Sequence, residues 1–541
     1  MDSWIKIYRS GELISDTTGV NGETLLTHIS GAGIFLDAPC GGKGRCGKCL
    51  VRLSPDGEKV PACRTVVDGD LDVYLPDETE MLVNSEFGIR NSELSILAPQ
   101  ASPSLSSSTF NFQLSTFNSS PSALDVTDIH ARLGVAIDIG TSTVVAHLTD
   151  IVNGARIATA SGVNAQRTFG ADVISRIQYC AENGHQKLTR LIREQIASLI
   201  RQTCAASGAQ PQNIIRISIA ANTIMGHLAA GYSPVGMGIV PFTPVSLFGD
   251  ELSAWDGLPA ADEAKIYFAP AISSYVGGDI TAGMLAAGLE DTQGPVVYID
   301  IGTNGEIAIK SGDKYYCCAT AAGPAFEGAE ITMGMAAVSG AINHVRWDGG
   351  LKLSVIGDKE PLGLCGSGLL DALAVLLDTG AVDETGRMLD SEEIDHKIAR
   401  HIGKLDGKNV FWLVEPGRGV YMSAMDIRKL QLAKSAIAAG IQTLLEYSGI
   451  EETQIASFVL AGGFGSFMDQ VSAARIGLFP IRFLPVARTL GNTAGEGASL
   501  ALCSEEACER LSDIRLRCEY VELSASAVFN EQFVEQMMFQ L

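Results

Sequence analysis

The chain has 541 residues, of which 46% are hydrophobic, so it is long enough for roughly three or four domains with sizeable cores. The formal net charge of −23 argues against a nucleic-acid partner, because no basic surface would neutralise a phosphate backbone. The acidity fits a protein that is steered toward basic partner surfaces, and solubility alone explains it equally well. No run of about 18 apolar residues occurs, so no membrane span is expected.

The N-terminus and the cysteines indicate a cytoplasmic protein. Residues 1–6 show no basic segment followed by an apolar core, so we predict no signal peptide. The twelve cysteines of a cytoplasmic chain are not expected to form structural disulfides. Four of them lie within the first 63 residues, which points to a dedicated site in that region.

Residues 1–92 predict a small β-rich domain. Two short strands at 4–9 and 12–14 are joined by a Ser-Gly pair and predict a hairpin. A short helix is expected at 24–29, and further strands at 51–53 and 71–75.

The four cysteines of this domain have the spacing of an iron–sulfur site. Cys40, Cys46 and Cys49 form a C-x5-C-x2-C pattern on a glycine-rich loop, and Cys63 follows after thirteen residues. Three thiolates on a tight loop can surround a [2Fe–2S] cluster that a fourth thiolate closes. A Cys₄ zinc site is the alternative, but zinc ribbons usually have two C-x2-C knuckles and this segment has one. The spacing resembles adrenodoxin-like and oxidoreductase-subunit ferredoxins, which implies an α+β, β-grasp fold.

Residues 93–131 predict a flexible linker. Between Ser102 and Ser122 there are nine serines, two prolines and no charged residue. Such a stretch cannot bury a core. We therefore expect a tether that lets the N-terminal domain swing between partners.

Two copies of one pattern organise the remainder of the chain. Each has an apolar β-branched run, then Asp, then Ile-Gly-Thr, then a returning strand, with the aspartates at Asp138 and Asp300. Glycine lets the backbone approach a ligand, the turn supplies amides and hydroxyls for phosphate, and Asp can hold a hydrated Mg²⁺. One copy would be weak evidence, because many buried hairpins contain Asp and Gly. Two copies indicate two related half-domains that face one nucleotide.

A third element, residues 458–466, is a strand that ends in a glycine cluster, on which a purine could lie flat. The three elements in this order resemble the α/β ATPase fold of acetate and sugar kinases, Hsp70 and actin. The resemblance implies a two-lobed duplicated domain at 132–541, with lobe I at about 132–294, lobe II at about 295–505 and a C-terminal strand and helix at 506–541. It assigns phosphate binding to Gly140, Thr141, Ser142, Thr143, Gly302, Thr303 and Asn304. It assigns adenosine binding to Gly462, Gly463, Phe464 and Gly465.

Three further positions are candidates for this cleft. Asp279 follows a double glycine before an Ala-rich segment, so it could be a helix N-cap or a catalytic carboxylate that orients the attacking water. Gly323 and Gly366 lie in small-residue segments at expected helix starts, where backbone amides favour anions.

An iron–sulfur domain tethered to an ATPase is the decisive combination. The combination is useful when an electron must move to a lower potential. Each 59 mV of this difference costs about 1.4 kcal/mol for a one-electron couple, and ATP can supply that free energy. A nucleotide can drive such a step only by binding two conformations with different affinity.

The combination resembles the reductive activators of corrinoid enzymes, and the resemblance covers both domains. It rests on Cys-Gly-Gly-Lys-Gly-Arg-Cys-Gly-Lys-Cys, Gly-Pro-Ala-Phe-Glu-Gly-Ala and Cys-Gly-Ser-Gly-Leu. It implies ATP-dependent reduction of cob(II)alamin to cob(I)alamin on a methyltransferase corrinoid protein, including those of O-demethylase systems. A low-potential electron donor is implied, and a homodimer stays open. Longer members carry a further small domain before the ATPase, and since only sixteen positions separate Ser122 from Asp138, that domain is expected to be missing or much reduced here.

Two other functions remain open from the sequence. One is an ATP-driven activator of a different low-potential enzyme, such as a dehydratase or a reductase. Those activators usually carry a bridged [4Fe–4S] cluster, which the cysteine spacing disfavours. The other is a redox-gated small-molecule kinase or a non-enzymatic sensor.

Overall fold

The computed structural model describes residues 2–9, 11–32, 34, 36, 44, 49–76, 132–328, 330–415, 419–465 and 467–540. The predicted linker, 93–131, lies outside these ranges. Among the described residues, none of the helices combines the length and the apolar character that a membrane span requires.

The described residues of the N-terminal region form a five-stranded sheet and one helix. The sheet order is β2-β1-β5-β3-β4, with β1 antiparallel to β2 and parallel to β5. The predicted hairpin and helix are confirmed, and Thr24 caps the helix by accepting a hydrogen bond from Thr27 N. Ile5, Ile7 and Val73 are fully buried in the core. The elements are β1 (Asp2–Arg9), β2 (Glu12–Val20), α1 (Leu25–Gly31), β3 (Leu50–Arg52), β4 (Lys59–Pro61) and β5 (Leu71–Tyr74).

The first half of the remaining chain forms a six-stranded sheet with flanking helices. The sheet order is β10-β11-β9-β6-β7-β8. Strand β6 contains the first aspartate pattern and lies at the centre, parallel to β9 and antiparallel to β7. The elements are β6 (Leu133–Ile139), β7 (Thr143–Asp150), β8 (Arg156–Val163), α2 (Val173–Asn183), α3 (Gln186–Ser207), β9 (Ile214–Ala221), α4 (Thr223–Ala230), β10 (Glu251–Ser253), β11 (Lys265–Phe268) and α5 (Gly278–Ala286).

The second half contains another six-stranded sheet and an inserted region with two small sheets. The large sheet has the order β22-β21-β12-β13-β14-β23, and the insertion lies between β14 and α8. The elements are β12 (Val296–Ile301), β13 (Gly305–Ser311), β14 (Lys314–Thr320), β15 (Ala341–Trp347), β16 (Leu351–Val355), β17 (Gly363–Leu364), α6 (Gly366–Asp378), α7 (His396–Ala399), β18 (Ile402–Leu405), β19 (Lys408–Trp412), β20 (Tyr421–Ser423), α8 (Ala424–Ser448), β21 (Ser457–Ala461), α9 (Gly462–Gly465), α10 (Gln470–Arg475), β22 (Ala487–Thr489), α11 (Thr493–Cys503), α12 (Glu505–Arg517), β23 (Cys518–Tyr520) and α13 (Ala527–Glu535).

The two large sheets repeat one arrangement. In each, the strand that carries the aspartate pattern forms an antiparallel meander with the two strands that follow it in the chain. On its other side it pairs in parallel with a later strand, β9 in one sheet and β21 in the other. Because parallel neighbours and the pattern strands all end at the same edge, the turns that follow Asp138 and Asp300 lie at corresponding places in the two lobes.

Helices α5 and α11 pack against each other between the two sheets. Their apolar residues share one buried cluster with residues from β6 and β9 of the first sheet and from β12 and β21 of the second. The helices cross closely at Gly497, where a Cβ atom would collide with the backbone of Ala282. A contact of this closeness requires glycine, so the crossing fixes how the two lobes meet.

Candidate nucleotide cleft and cysteine centre

The two predicted phosphate turns lie at the ends of central strands. Asp138 and Asp300 are the second-last residues of β6 and β12. The first turn is closed by a hydrogen bond from Gly140 N to Thr143 O over 2.9 Å. The second is closed by Gly302 N to Asn304 O, also over 2.9 Å. Both turns therefore have the tight form that the repeated pattern predicts.

The turns of the two lobes face each other directly. The hydroxyl oxygens of Ser142 and Thr303 are 3.4 Å apart, although the residues belong to different lobes. Glu327 joins them, because its carboxylate accepts from Ser142 Oγ over 3.0 Å and from Thr303 Oγ1 over 2.7 Å. The structure thus places residues of both sequence copies at one site between the lobes.

Three partly buried aspartates share the floor of this cleft. Burial, together with the nearby charge of Asp300, raises the pKa of Asp138 to about 7, against a hydrogen bond from Asn492 that lowers it. Burial and the charges of Asp300 and Asp138 raise the pKa of Asp279 to about 8. Burial raises the pKa of Asp300 to about 6. Carboxylates that repel one another in this way favour a cation between them.

Asp279 is not the N-cap of α5, and this alternative was wrong. The helix begins at Gly278 and its N-cap is Gly277, in an extended conformation. Asp279 is the second helical residue, and its Oδ1 accepts a hydrogen bond from Ile280 N over 2.9 Å. The cap was misjudged because glycine can start a helix without a side-chain acceptor. The other interpretation, a carboxylate that acts in the cleft, stays a prediction.

The predicted adenosine turn adjoins the second phosphate strand. Gly462 follows β21 with a φ of +83°, and a Cβ atom there would strike the carboxylate of Asp300. Phe464, in the same turn as Gly463 and Gly465, stacks on Phe326 with ring centroids 5.5 Å apart. Gly366 begins α6 beside these two residues, where a side chain would collide with the Phe464 ring. Gly323 lies after β14 with a φ of +73°, and the residues that follow it, 324–328, form turns rather than a helix, so the expected helix start at Gly323 was wrong.

Four side chains of the cleft were not among the predicted site residues. Glu306 lies opposite Asp300 in the β12–β13 register, and burial with the nearby aspartates raises its pKa well above the ordinary value. Arg176 is fully buried and donates to Thr141 O behind the first turn. Asn492 donates to Asp138 Oδ2 over 2.8 Å, and Glu327 bridges the turns. One signal was available, because Glu306 is an acid where the first copy has Val144.

Two of the four predicted cluster ligands can be located. Cys49 precedes β3 and Cys63 follows β4, and both are buried. The two strands pair antiparallel, and Ala62 N donates to Cys49 O over 2.7 Å, so the thiol-bearing residues flank one hairpin. Arg64 donates from its guanidinium to the carbonyl of Gly44, which lies in the predicted cluster loop. Cys40 and Cys46 lie outside the described residues.

No direct chelating group of three His, Cys, Asp or Glu side chains is present among the described residues.

Comparison with known proteins places the chain among electron-transfer activators. A family model described as the RACo middle region matches residues 133–292, and one described as the C-terminal domain of RACo, the ASKHA domain, matches residues 294–541. ASKHA denotes the acetate and sugar kinase, Hsp70 and actin fold. The prediction of this fold for the ATPase region is therefore confirmed.

Individual relatives match over nearly the whole chain. The corrinoid activation enzyme RamQ of Eubacterium limosum is 32% identical over 588 residues, which cover 97% of this chain and 98% of that protein. The Co(II) methylated amine-specific corrinoid protein reductase of Methanosarcina barkeri is 24% identical and covers 75% of this chain and 77% of its own length. A solved structure of a reductive activator for corrinoid, iron–sulfur protein has a TM-score of 0.68 at 29% identity and covers 99% of this chain and 98% of its own.

Proposed function

The chain belongs to the RACo family of reductive activators of corrinoid proteins, and we propose that it is an ATP-dependent reductase that returns a corrinoid protein to its active state. The reaction adds one electron to cob(II)alamin and gives cob(I)alamin, while ATP is hydrolysed to ADP and phosphate. The single observation that carries the proposal is the 32% identity to a corrinoid activation enzyme over 97% of this chain. The corrinoid protein of a methyltransferase is the proposed partner, and a low-potential donor supplies the electron.

We propose that residues 1–92 form a [2Fe–2S] ferredoxin-like domain with Cys40, Cys46, Cys49 and Cys63 as the cluster ligands. A cluster bound there supplies electrons singly. The donor set fits it, because Cys49 and Cys63 flank one hairpin and the Arg64 guanidinium donates to the carbonyl of Gly44, which lies between Cys40 and Cys46 in the sequence. Pinning the loop to the residue beside Cys63 would keep the four thiols within reach of one another.

In the cleft, residues of both lobes bind and orient ATP. The amides of the turns at Gly140 and Gly302 and the hydroxyls of Ser142 and Thr303 are the phosphate donors in this proposal. Asp138 and Asp300 would hold Mg²⁺ through its water shell, and the ion would neutralise phosphate charge. The turn at 462–465, with Phe464, supports adenosine. Asp279 orients the attacking water through its carboxylate.

A coupled-reduction assay tests this function. The full-length protein is mixed anaerobically with a reductant and a cob(II)alamin-loaded corrinoid protein, with and without Mg-ATP, and cob(I)alamin is followed by its visible band. We expect ATP-dependent growth of the band, which Cys63→Ser abolishes and Cys204→Ser retains, since Cys204 lies buried in α3 far along the chain. Running the assay with corrinoid proteins of methylamine and O-demethylase systems assigns the partner. Reduction of cobalt that does not depend on ATP would contradict the proposal.

A further inference from the structure

Glu327 occupies the point where the phosphate turns of the two lobes meet. Its two carboxylate oxygens accept hydrogen bonds from different lobes, one from Ser142 Oγ and one from Thr303 Oγ1, at 3.0 and 2.7 Å. Each hydroxyl has a single proton to donate. While both protons are directed at Glu327, neither hydroxyl can donate to a phosphate oxygen.

A buried cation, Arg176, lies close enough to Glu327 to feel the charge of its carboxylate. Arg176 is fully buried behind the first turn, where it donates to Thr141 O over 2.5 Å and to Gly170 O over 3.0 Å. Burial and the nearby charge of Arg167 lower the pKa of Arg176 to about 9, and the Glu327 carboxylate acts in the opposite direction by stabilising the cation. A second anion brought beside Glu327 would be repelled by it. The carboxylate and a phosphate group therefore exclude each other.

Glu327 is also linked to the adenosine turn through its neighbour. Phe326 stacks on Phe464 with nearly parallel rings, at an interplanar angle of 13°. A turn follows directly, in which the amide of Gly328 donates to Ala325 O over 3.0 Å. A displacement of the Glu327 backbone would consequently change the packing of an aromatic ring against the adenosine turn.

We propose that Glu327 competes with the phosphates of ATP for the hydroxyls of both lobes, and that ATP binding displaces it and shifts the segment 321–328. The inference rests on the proposed function, because it requires that the cleft binds ATP. The competition makes the contacts of the ATP-bound and ATP-free conformations different. Only such a difference in contacts lets ATP favour one conformation over the other.

Nucleotide affinity tests the competition. The dissociation constant of Mg-ATP is measured by calorimetry on the full-length chain and on Glu327→Gln and Glu327→Ala. We expect binding to become about tenfold tighter in both variants, because two charge-assisted hydrogen bonds no longer oppose it. Glu330→Gln, which alters an exposed acid two positions beyond this segment, should bind like the wild type. If the wild type binds no ATP, the proposed function fails. If it binds ATP and the Glu327 variants bind equally or more weakly, this inference alone is overturned.

Hydrogen exchange on the unaltered chain tests the displacement. Addition of Mg-ATP should increase amide exchange in peptides that cover 321–328, and Glu327→Ala should show the increased exchange without nucleotide. If amide exchange in this segment does not change when the wild-type chain is saturated with Mg-ATP, the displacement is overturned, whatever the dissociation constants of the variants are.

Discussion

Asn492 and Asp138 are joined by a 2.8 Å hydrogen bond from Nδ2 to Oδ2, across 354 positions of sequence. The other end of the same amide caps α11, since Oδ1 accepts from Gly495 N over 2.8 Å. One side chain therefore connects the Asp138 carboxylate of lobe I to the helix that packs between the lobes. A movement of α11 must carry Asp138 with it or break this bond.

Asn492→Ala removes both interactions. We expect a loss of about 2 kcal/mol of stability, from a helix cap and a hydrogen bond to a carboxylate, and a clear loss of ATPase activity. Thermal unfolding and steady-state phosphate release measure the two effects. Asn530→Ala, at an exposed position of α13, is the control. A lower Tm with wild-type ATPase would mean that Asn492 acts only as a cap.

The sequence reveals the parts of the site whose chemistry is local. Asp138 and Asp300 were predictable because a buried strand, an acid and a tight Gly-Thr turn are adjacent along the chain. Helix α3 was predictable for the same reason, because its apolar residues recur at helical spacing. Its buried residues include Leu188, Ile192 and Ile196. Signals of this kind depend only on residues that are close in the sequence, so they can be recognised without knowledge of the fold.

Partners that meet only in the folded chain were not predictable. Arg176 has the sequence context of an ordinary surface residue of an amphipathic helix, yet it is fully buried behind a turn 35 positions away. Glu327 reaches a hydroxyl of the other lobe, 185 positions earlier. Their roles depend on how two sheets face each other, which no local pattern encodes.

The raised pKa values in the cleft predict a pH dependence of stability. The pKa values of Asp138, Asp279 and Asp300, about 7, 8 and 6, exceed the ordinary value of 3.8. Between about pH 4 and 8 these three carboxyls consequently bind more protons in the folded chain than in the unfolded chain, so without Mg²⁺ their contribution to stability falls as pH rises. Mg²⁺ needs ionised carboxylates, so its affinity should rise from about pH 6 to 8.

Asp279→Asn isolates one of these groups. Without Mg²⁺, the Tm of this variant should rise relative to that of the wild type as pH increases from about 4 to 8, because the asparagine does not ionise in either state. Above about pH 8 the difference in Tm should stay constant. Thermal unfolding at closely spaced pH values measures the difference. A constant offset across the whole range would show that Asp279 titrates normally in the folded chain.

The cysteine centre predicts a specific metal content. The wild type should contain about two iron atoms and two sulfides per chain and absorb in the visible range. Cys63→Ser and Cys49→Ser should lose both, while Cys180→Ser, whose thiol is buried in α2, should retain them. Elemental analysis decides the alternative, since stoichiometric zinc in place of iron would identify a structural zinc site.

Substitution of Gly497 tests how strongly the arrangement of the two lobes depends on the crossing of α5 and α11. In Gly497→Ala the added methyl group would meet the carbonyl of Ala282, so α5 and α11 must separate. We expect destabilisation of about 1–3 kcal/mol and reduced ATPase activity, because the aspartates of the cleft are carried by elements that this crossing positions.

Gly350→Ala is the matched control for this substitution. Gly350 lies in the turn between β15 and β16, and the nearest atom to an added Cβ would be Arg400 Nη2 at 3.7 Å, an ordinary contact. Its Tm and ATPase activity should stay close to wild type. If Gly497→Ala behaved like this control, the helices could separate without cost, and the close crossing would not be what holds the two halves of the nucleotide site in register.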